Sequence, residues 1–570
     1  MKHDARCRTR SAAAGQVAAV LAAVLAAVLL AQCGSAAAAP EQAKKTGATA
    51  AAAPAAAATT THKPLRILAI MTIDTMSHHI WMSALTVELA RRGHLVTSLD
   101  IHKHSEEPPT LNTTIIETAF QYNDPDYAQR WMKAWVVTQI ALLQEVGEGE
   151  CKRDLAAPSV QRLLDPAYPG TFDLIIFDYL ADCMLGWAHR FGYPGNIALS
   201  PFPISPWMDD LMANPQPPSI VAHTMQHFAH PMNLWQRAWT GFLHGYSKLL
   251  GWWWRPKQDN LIKRFFGEDA PSVEELREHV HLALVNENPV LEAARPLPPN
   301  TILVGGMHVK PANLTRIPAD LRKWMDDAKE GFVFASFGSV MKGRFIDAAK
   351  KRMLLESFAA LAPVRVLWKI EPEEVDRELI AANVRIEKWA PQNDLFGHPN
   401  LRLFVSHCGG LSSNEASYHG VPVLGTPFFV DQFVNLEKLV EKGMGRPMPY
   451  HDITKERFVN EAKEMLTNPR YLEAARRVRT LILDQKETPL ERAVWWAEYI
   501  GRHRGAPHLR SPARDLYWHQ IVMLDVAALL GLGVLAVILV AFLVIKAVVQ
   551  YVRRNGEQRP RDPPRRKKKD

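Results

Sequence analysis

Cysteine is scarce in this chain, five in 570 residues, and Cys7 and Cys33 fall in an amino-terminal segment that reads as a removable leader. The three that remain, Cys151, Cys183 and Cys408, exclude a disulfide-stapled scaffold and show no metal-ligand spacing. At most one bridge is possible, and Cys408 is expected to stay free. A charge excess over the body is also lacking. The formal net charge is +8, but residues 546–570 hold ten Lys or Arg against three acids. The rest is nearly neutral, which removes nucleic acid as a partner. No tandem repeat appears beyond two similar halves, and the length is too great for one core.

What is present starts with the two ends. Arg6, Arg8 and Arg10 precede the apolar run Val17–Leu30, followed by small residues at Gly34-Ser35-Ala36-Ala37. That is the layout of a secretory signal peptide over residues 1–39, cleaved between about 33 and 39, with an uncleaved anchor as the alternative. Residues 40–63 are an Ala/Pro/Thr-rich linker that cannot build a core. Near the other end, Val526–Ile545 carries no charge between Asp525 and Lys546. A helix of that length spans the ~30 Å hydrocarbon layer. Its basic flank, residues 546–570, is expected in the cytosol, leaving the body lumenal. Lys567-Lys568-Lys569-Asp570 resembles the dilysine retrieval signal of endoplasmic-reticulum membrane proteins; a polybasic tail on anionic lipid is the competing account. Asn112 and Asn313 head N-x-Thr acceptors for lumenal glycans.

The body alternates strand and helix patterns. Leu65–Ile70, Val96–Asp100 and Phe172–Phe177 read as strands, the last ending at Asp178, and Trp81–Arg91 reads as a helix. After the Pro-rich stretch Pro296–Asn300 a fresh series begins, with Val333–Phe337, Val364–Trp368 and Val384–Glu387 as strands and Lys351–Leu361 as helix. The expected divisions are one domain over 64–295, a second over 300–475, and helices over 476–515 returning toward the body. The tract from Pro203 to Trp253 has no regular periodicity. It reads as a pocket lining or a bilayer-facing surface, with Trp252, Trp253 and Trp254 at a membrane interface.

The richest block runs from Trp389 to Leu436. Leu401–Val405 is a strand that ends at Ser406-His407-Cys408-Gly409-Gly410, and a helix-forming stretch with Asn414 and Glu415 follows. Gly409 and Gly410 let backbone approach a ligand, and the helix start offers free N–H groups to a diphosphate. His407 is placed to donate to a phosphate oxygen. Glu415 can accept from two ribose hydroxyls, and Asp431 with Gln432 from and to a hexose. They lie beyond the carboxyl end of the run Val421–Thr426, where open α/β sheets bind ligands.

This block is similar to the signature of the UDP-glycosyltransferases, including the UDP-glucuronosyltransferases of endoplasmic-reticulum membranes, from Trp389-Ala390-Pro391-Gln392 to Asp431-Gln432. Asn286-Glu287-Asn288-Pro289, Val304-Gly305-Gly306 and Leu516-Tyr517-Trp518-His519-Gln520 extend the likeness over about residues 64–550. The resemblance implies an α/β fold of two Rossmann-like domains facing a cleft (GT-B type), the acceptor site in the first and the donor site in the second, with a carboxy-terminal transmembrane helix. It implies Trp389 stacked on uracil, Gln392 near the uridine, His407, Gly409 and Ser339 at the diphosphate, Asn414 in the same site, Glu415 at the ribose, and Asp431 and Gln432 at the sugar. One departure is Cys408, where the animal members carry glycine; it is tolerable if the loop has negative φ.

Transfer to a hydroxyl needs a base for the departing proton, and an imidazole suits that step. His78 and His79 follow the first strand at the edge that faces the cleft. The family pattern assigns His78 as base and Asp178 as the carboxylate orienting it, with inversion; His79 is expected to pack or cap, Asp74 to be solvated and His94 to end a helix. No cofactor and no metal are implied, since UDP-sugar is the co-substrate and no Asp-x-Asp pair stands at a donor-side strand end. Glucose and glucuronate remain open as sugars, with Lys342 or Arg365 as cations for the latter. Acceptors are small lipophilic alcohols, phenols, sterols or acids. A silent binding protein of the same fold and a lipid- or glycan-directed transferase are the alternatives, and self-association through the single span is possible.

Overall fold

The structure, a computed structural model, describes residues 63–117, 125–226, 228, 231–339 and 341–557. The expected leader, almost all of the linker and the Lys567–Lys569 signal lie outside the described residues.

Two sheets, each parallel throughout, carry the fold. The first has the order β3-β2-β1-β4-β5-β6-β7, with β1 Arg66–Met71, β2 Leu95–Asp100, β3 Leu111–Ile115, β4 Leu174–Asp178, β5 Gly195–Ser200, β6 Leu282–Val285 and β7 Thr301–Leu303. The second has the order β10-β9-β8-β11-β12-β13, with β8 Phe332–Ser336, β9 Arg365–Lys369, β10 Val384–Glu387, β11 Leu401–Ser406, β12 Val423–Gly425 and β13 Gly445–Pro447. Strands such as LIIFD and FVFAS are buried at every position, which a sheet covered on both faces demands. Alternation sorts them: Ile175 and Phe177 enter the core with Trp187, whereas Leu174 and Ile176 join Trp81 and Leu85. Phe332 and Phe334 likewise face one core of the second sheet, and Val333 and Ala335 the other.

Strand order reverses between β1 and β4 in the first sheet and between β8 and β11 in the second. Connections from those neighbours leave toward opposite faces, and a crevice opens at their carboxyl ends. The helix Pro489–His503 packs on the first sheet, placing Ala493, Val494, Ala497 and Ile500 in the core with Trp81. Gly195 permits the contact, since a Cβ there would lie 2.8 Å from the Ile500 carbonyl.

Three local expectations are corrected. The helix expected from Trp81 starts at Met76, because Thr75 caps it. The tract without periodicity contains much of a 33-residue helix, Leu234–Phe266, opened by an Asn233/Gln236 capping box. Its buried face mixes Thr240, His244, Ser247 and Gln258 with Leu243 and Leu261, while Trp235, Phe242, Trp252 and Trp253 are exposed. Polar residues inside and aromatics outside cancel the periodic signal. Trp254 differs from its neighbours by donating to Glu148 at 2.8 Å. Asp74, expected to be solvated, pairs with His102 at 3.2 Å.

The helix Leu524–Glu557 is the one candidate span among the described residues, exposed along its length. At about 50 Å the helix is longer than a hydrocarbon layer is thick. Asn112 and Asn313 are exposed. Cys151 and Cys183 form a disulfide with Cα atoms 6.3 Å apart, and Cys408 is free and buried.

The bridge ties the helix Val136–Asp154 to the segment after β4 across 32 residues. Closing such a loop in the unfolded chain is worth roughly 3–4 kcal/mol in the chain-entropy account. The double variant Cys151→Ser/Cys183→Ser should lower the thermal midpoint by several degrees in circular dichroism; an unchanged midpoint would refute that contribution.

Candidate active site

The chain leaves β1 at Met71 and turns through Asp74 and Thr75 into the helix Met76–Arg91. Thr75 Oγ1 accepts from the His78 backbone N–H at 3.4 Å, which fixes His78 in the first turn. β4 pairs with β1, Phe177 level with Ile70, and ends at Asp178. Adjacent strand ends therefore deliver a couple: His78 Nδ1 lies 2.6 Å from Asp178 Oδ2, with both residues buried. A proton donated from Nδ1 to the carboxylate leaves Nε2 as the acceptor. The edge contact with Phe202, at 4.9 Å between ring centroids, restrains the imidazole further.

The second sheet repeats the device. Ser336 and Ser406 are level on β8 and β11, and each strand continues into a turn, Phe337-Gly338-Ser339 and His407-Cys408-Gly409. The His407 ring fills the slot between these turns, since a Cβ on Gly338 or Gly409 would stand 2.5 Å from its Nε2. Burial, with the Lys369 charge in support, pushes the His407 pKa down to about 4. The imidazole is neutral at neutral pH and can act only as a hydrogen-bonding group. The helix Gly410–His419 begins directly after, its N-terminal N–H groups unpaired within it.

Cys408 has φ +61, not the negative φ expected. The left-handed conformation is costly for a residue with a Cβ, and two hydrogen bonds hold its backbone. Its N–H donates to Ser406 Oγ at 3.0 Å, and its carbonyl accepts from Asn435 Nδ2 at 3.1 Å. The thiol points into the core near Ser406 O, where burial raises its pKa. Val430 is a second non-glycine in this region, φ +57, and a β-branched one. Its N–H donates to Gln139 Oε1 at 3.1 Å, tying the loop before Asp431 to the helix Val136–Asp154.

One cavity of about 390 Å³ is lined by His78, Ser339, Trp389, Gln392, His407, Gly409, Glu415, Asp431 and Gln432. At one end Lys369 Nζ sits 4.3 Å over the half-exposed Trp389 ring. Gln392 Nε2 donates to Ser412 Oγ at 3.0 Å and to the Glu415 carboxylate. Burial raises the Glu415 pKa to about 7, against the opposing pull of Gln392 and Lys369. At the other end Asp431 Oδ2 accepts from Asn435 at 2.7 Å, and burial raises its pKa too. Gln432 Oε1 accepts from the Phe428 N–H at 2.8 Å, which leaves its amide N–H groups to donate. Ile73, Trp131, Leu143, Val146, Phe202 and Phe429 make an apolar wall.

Asn414 lies outside this lining, bonded to Gly410 O at 3.0 Å and Asn286 at 3.3 Å. Asp178 stands behind His78. Arg365 is placed at the opposite end of its strand, against Trp324, and Lys342 lines a neighbouring pocket. Sequence reasoning missed Lys369, which ends β9 level with Ser336 of β8, and His308, which lines the cavity with its pKa lowered to about 3 by burial. The histidine two places after Gly305-Gly306 was a usable signal. Asn435 is one helical turn from Asp431 and could have been read from that spacing.

Comparison with known proteins gives concordant findings. A family model described as "UDP-glucoronosyl and UDP-glucosyl transferase" matches residues 67–561. UDP-glycosyltransferase UGT5 of Dactylopius coccus is 31% identical over 505 residues, 85% of this chain and 92% of the relative. UDP-glucuronosyltransferase 2B1 of Rattus norvegicus is 29% identical, covering 82% and 90%. Among solved structures, the glycosyltransferase VinC in complex with DTDP aligns at TM-score 0.54 and 17% identity over 77% of this chain and 100% of that one. A UDP-glucosyltransferase from Polygonum tinctorium aligns equally well, at 0.54 and 17% over 78% and 100%. The fold is that of GT-B glycosyltransferases.

Gly409 has an ordinary φ of −61, so Gly409→Ala perturbs the contact with His407 and the cavity lining without straining the backbone. UDP affinity by calorimetry should fall tenfold or more, about 1.4 kcal/mol, with the circular dichroism spectrum unchanged. Retained affinity would show that His407 and its turn are not part of the UDP site.

Proposed function

The chain belongs to the UDP-glucoronosyl and UDP-glucosyl transferase family, and from that premise we propose that it transfers a neutral hexose, with inversion, from a UDP-sugar to a hydroxyl of a small lipophilic acceptor. The observation that carries the reading is the His78–Asp178 couple, 2.6 Å apart, opening into the cavity that also holds His407, Glu415, Asp431 and Gln432. The acceptor oxygen attacks the anomeric carbon while its proton passes to His78 Nε2. The bond from that carbon to the β-phosphate oxygen breaks, and its electrons leave with UDP. Asp178 stabilises the imidazolium as it forms. The neutral His407 N–H and the start of the helix Gly410–His419 receive the diphosphate. Trp389 takes the uracil, Glu415 the ribose, and Asp431 and Gln432 the hexose hydroxyls.

The charge distribution supports a neutral sugar. Among the described residues lining the cavity, Lys369 is the sole Lys or Arg, and it sits on Trp389 at the nucleoside end. A uronate carboxylate beside Asp431 would be desolvated without a cation. The apolar wall favours flat lipophilic acceptors. The exposed span and its basic flank support an endoplasmic-reticulum membrane location with the body in the lumen.

Full-length protein in detergent, given UDP-glucose or UDP-glucuronate with a panel of phenols, sterols and carboxylic acids, tests this by UDP release and product mass. UDP-glucose should be preferred at least tenfold in kcat/KM. His78→Ala should lose roughly 10²–10⁴ of the rate and keep UDP-sugar binding. Product from UDP-glucuronate alone would sink the neutral-sugar assignment, and UDP binding without any product would favour a silent binder.

Glu415 adds a pH test. Ribose hydroxyls donate to its carboxylate, so the bound state favours the ionised form of a group that titrates near 7 when free. Binding therefore releases a proton, and UDP-glucose affinity should rise between about pH 6 and about pH 8. Glu415→Gln should weaken binding and flatten that slope; a slope that survives would assign the titration to another group.

A further inference from the structure

His79, the neighbour of the base, does not line the cavity. It meets Asp100 from the carboxyl end of β2 and His104 from the loop that follows. The three are buried, with exposures of 6%, 1% and 6%. One ligand atom from each lies within 4.8 Å of the other two. We propose that His79, Asp100 and His104 form a structural binding site for a divalent cation of the Zn²⁺ class. This goes beyond the expectation that His79 only packs or caps, and it lies outside the donor site.

Asp100 Oδ2 stands between the imidazoles, 2.9 Å from His79 Nδ1 and 3.7 Å from His104 Nε2. Two of the atoms that point away are already held. Asp100 Oδ1 accepts from the His102 backbone N–H at 2.9 Å, and His104 Nδ1 is 2.7 Å from Ser83 Oγ. An outer partner on the second ring nitrogen and on the second carboxylate oxygen is what orients metal ligands. His104 Nε2 also lies 3.2 Å from Ser98 Oγ, a contact that a cation would replace. The His102–Asp74 pair closes one side, its ring centroid 5.4 Å from that of His79.

Two imidazoles and one carboxylate suit Zn²⁺, Co²⁺ or Ni²⁺ rather than Mg²⁺ or Ca²⁺, which prefer oxygen. Three protein ligands leave a fourth position for water. The cation replaces the His79–Asp100 hydrogen bond, with the ring proton then carried on His79 Nε2. Because the ligands come from the helix, the strand end and the loop, occupancy cross-links β2 to the turn that carries His78. The cation touches no substrate and takes no part in transfer.

The test uses full-length, tag-free protein in detergent, stripped with dipicolinate and titrated with Co²⁺, with UDP affinity recorded as the measure of folding. One equivalent should bring up the visible ligand-field bands of four-coordinate Co²⁺ without thiolate charge transfer, raise the thermal midpoint, and be displaced by Zn²⁺. Asp100→Asn and His104→Gln should each weaken Co²⁺ binding at least tenfold while UDP affinity stays within twofold. Absence of the bands in UDP-binding wild-type protein would overturn the proposal and leave a hydrogen-bonded cluster. Bands that persist in both variants would overturn it too, by placing the metal elsewhere.

Discussion

Parallel pairing of β1 with β4, and of β8 with β11, is the constraint from which the site follows. Each pair spans a reversal of strand order, so the chain departs from neighbouring strand ends in opposite directions and nothing crosses the gap. The first pair brings His78 to Asp178 although 100 residues separate them. The second brings Gly338 and Gly409 to opposite sides of His407. The strands are apolar and buried on both faces, so their register is strongly specified, and a slip by one residue would send alternate side chains to the wrong core. The precision of the polar groups is inherited from that apolar register.

Burial then decides what the polar groups can do. His407 and His308 are both neutral in the cavity because desolvation outweighs every nearby attraction. The turns beside His407 therefore offer N–H donors and a helix terminus instead of a cationic imidazole, and Lys369, the cation among the described lining residues, sits over Trp389. Glu415 and Asp431 are pushed toward their protonated forms in the free protein, for the same reason. Each carboxylate has one amide donor, Gln392 for Glu415 and Asn435 for Asp431, and keeps further acceptor capacity toward the cavity.

Much of this was legible in the sequence where a residue acts through local pattern. The strand ends at Asp178 and Ser406, the glycine turn and the Asp431-Gln432 pair follow from short apolar runs and their punctuation. Properties set by tertiary context were not. Cys408 adopts positive φ because Ser406 and Asn435 bind its backbone, and Asn435 lies 27 residues away. The helix Leu234–Phe266 hides its period because aromatics face outward and polar groups inward. Lys369 follows an unremarkable strand pattern and gains meaning only when Trp389 lies beneath it.

The loop that carries Val430 shows how the two halves of the cavity are kept in step. A β-branched residue at positive φ is strained, at a cost on the order of 1–3 kcal/mol. The conformation directs its N–H to Gln139, on the helix that also contributes Leu143 and Val146 to the apolar wall. Phe429, the residue before Val430, packs on Trp131 with ring centroids 6.3 Å apart. The loop preceding Asp431 and Gln432 is thus bonded to the helix behind the apolar wall of the cavity. A shift of either element must break the Val430–Gln139 bond or carry the other with it, so Asp431, the residue after Val430, is tied to the helix that contributes Leu143 and Val146 to the apolar wall.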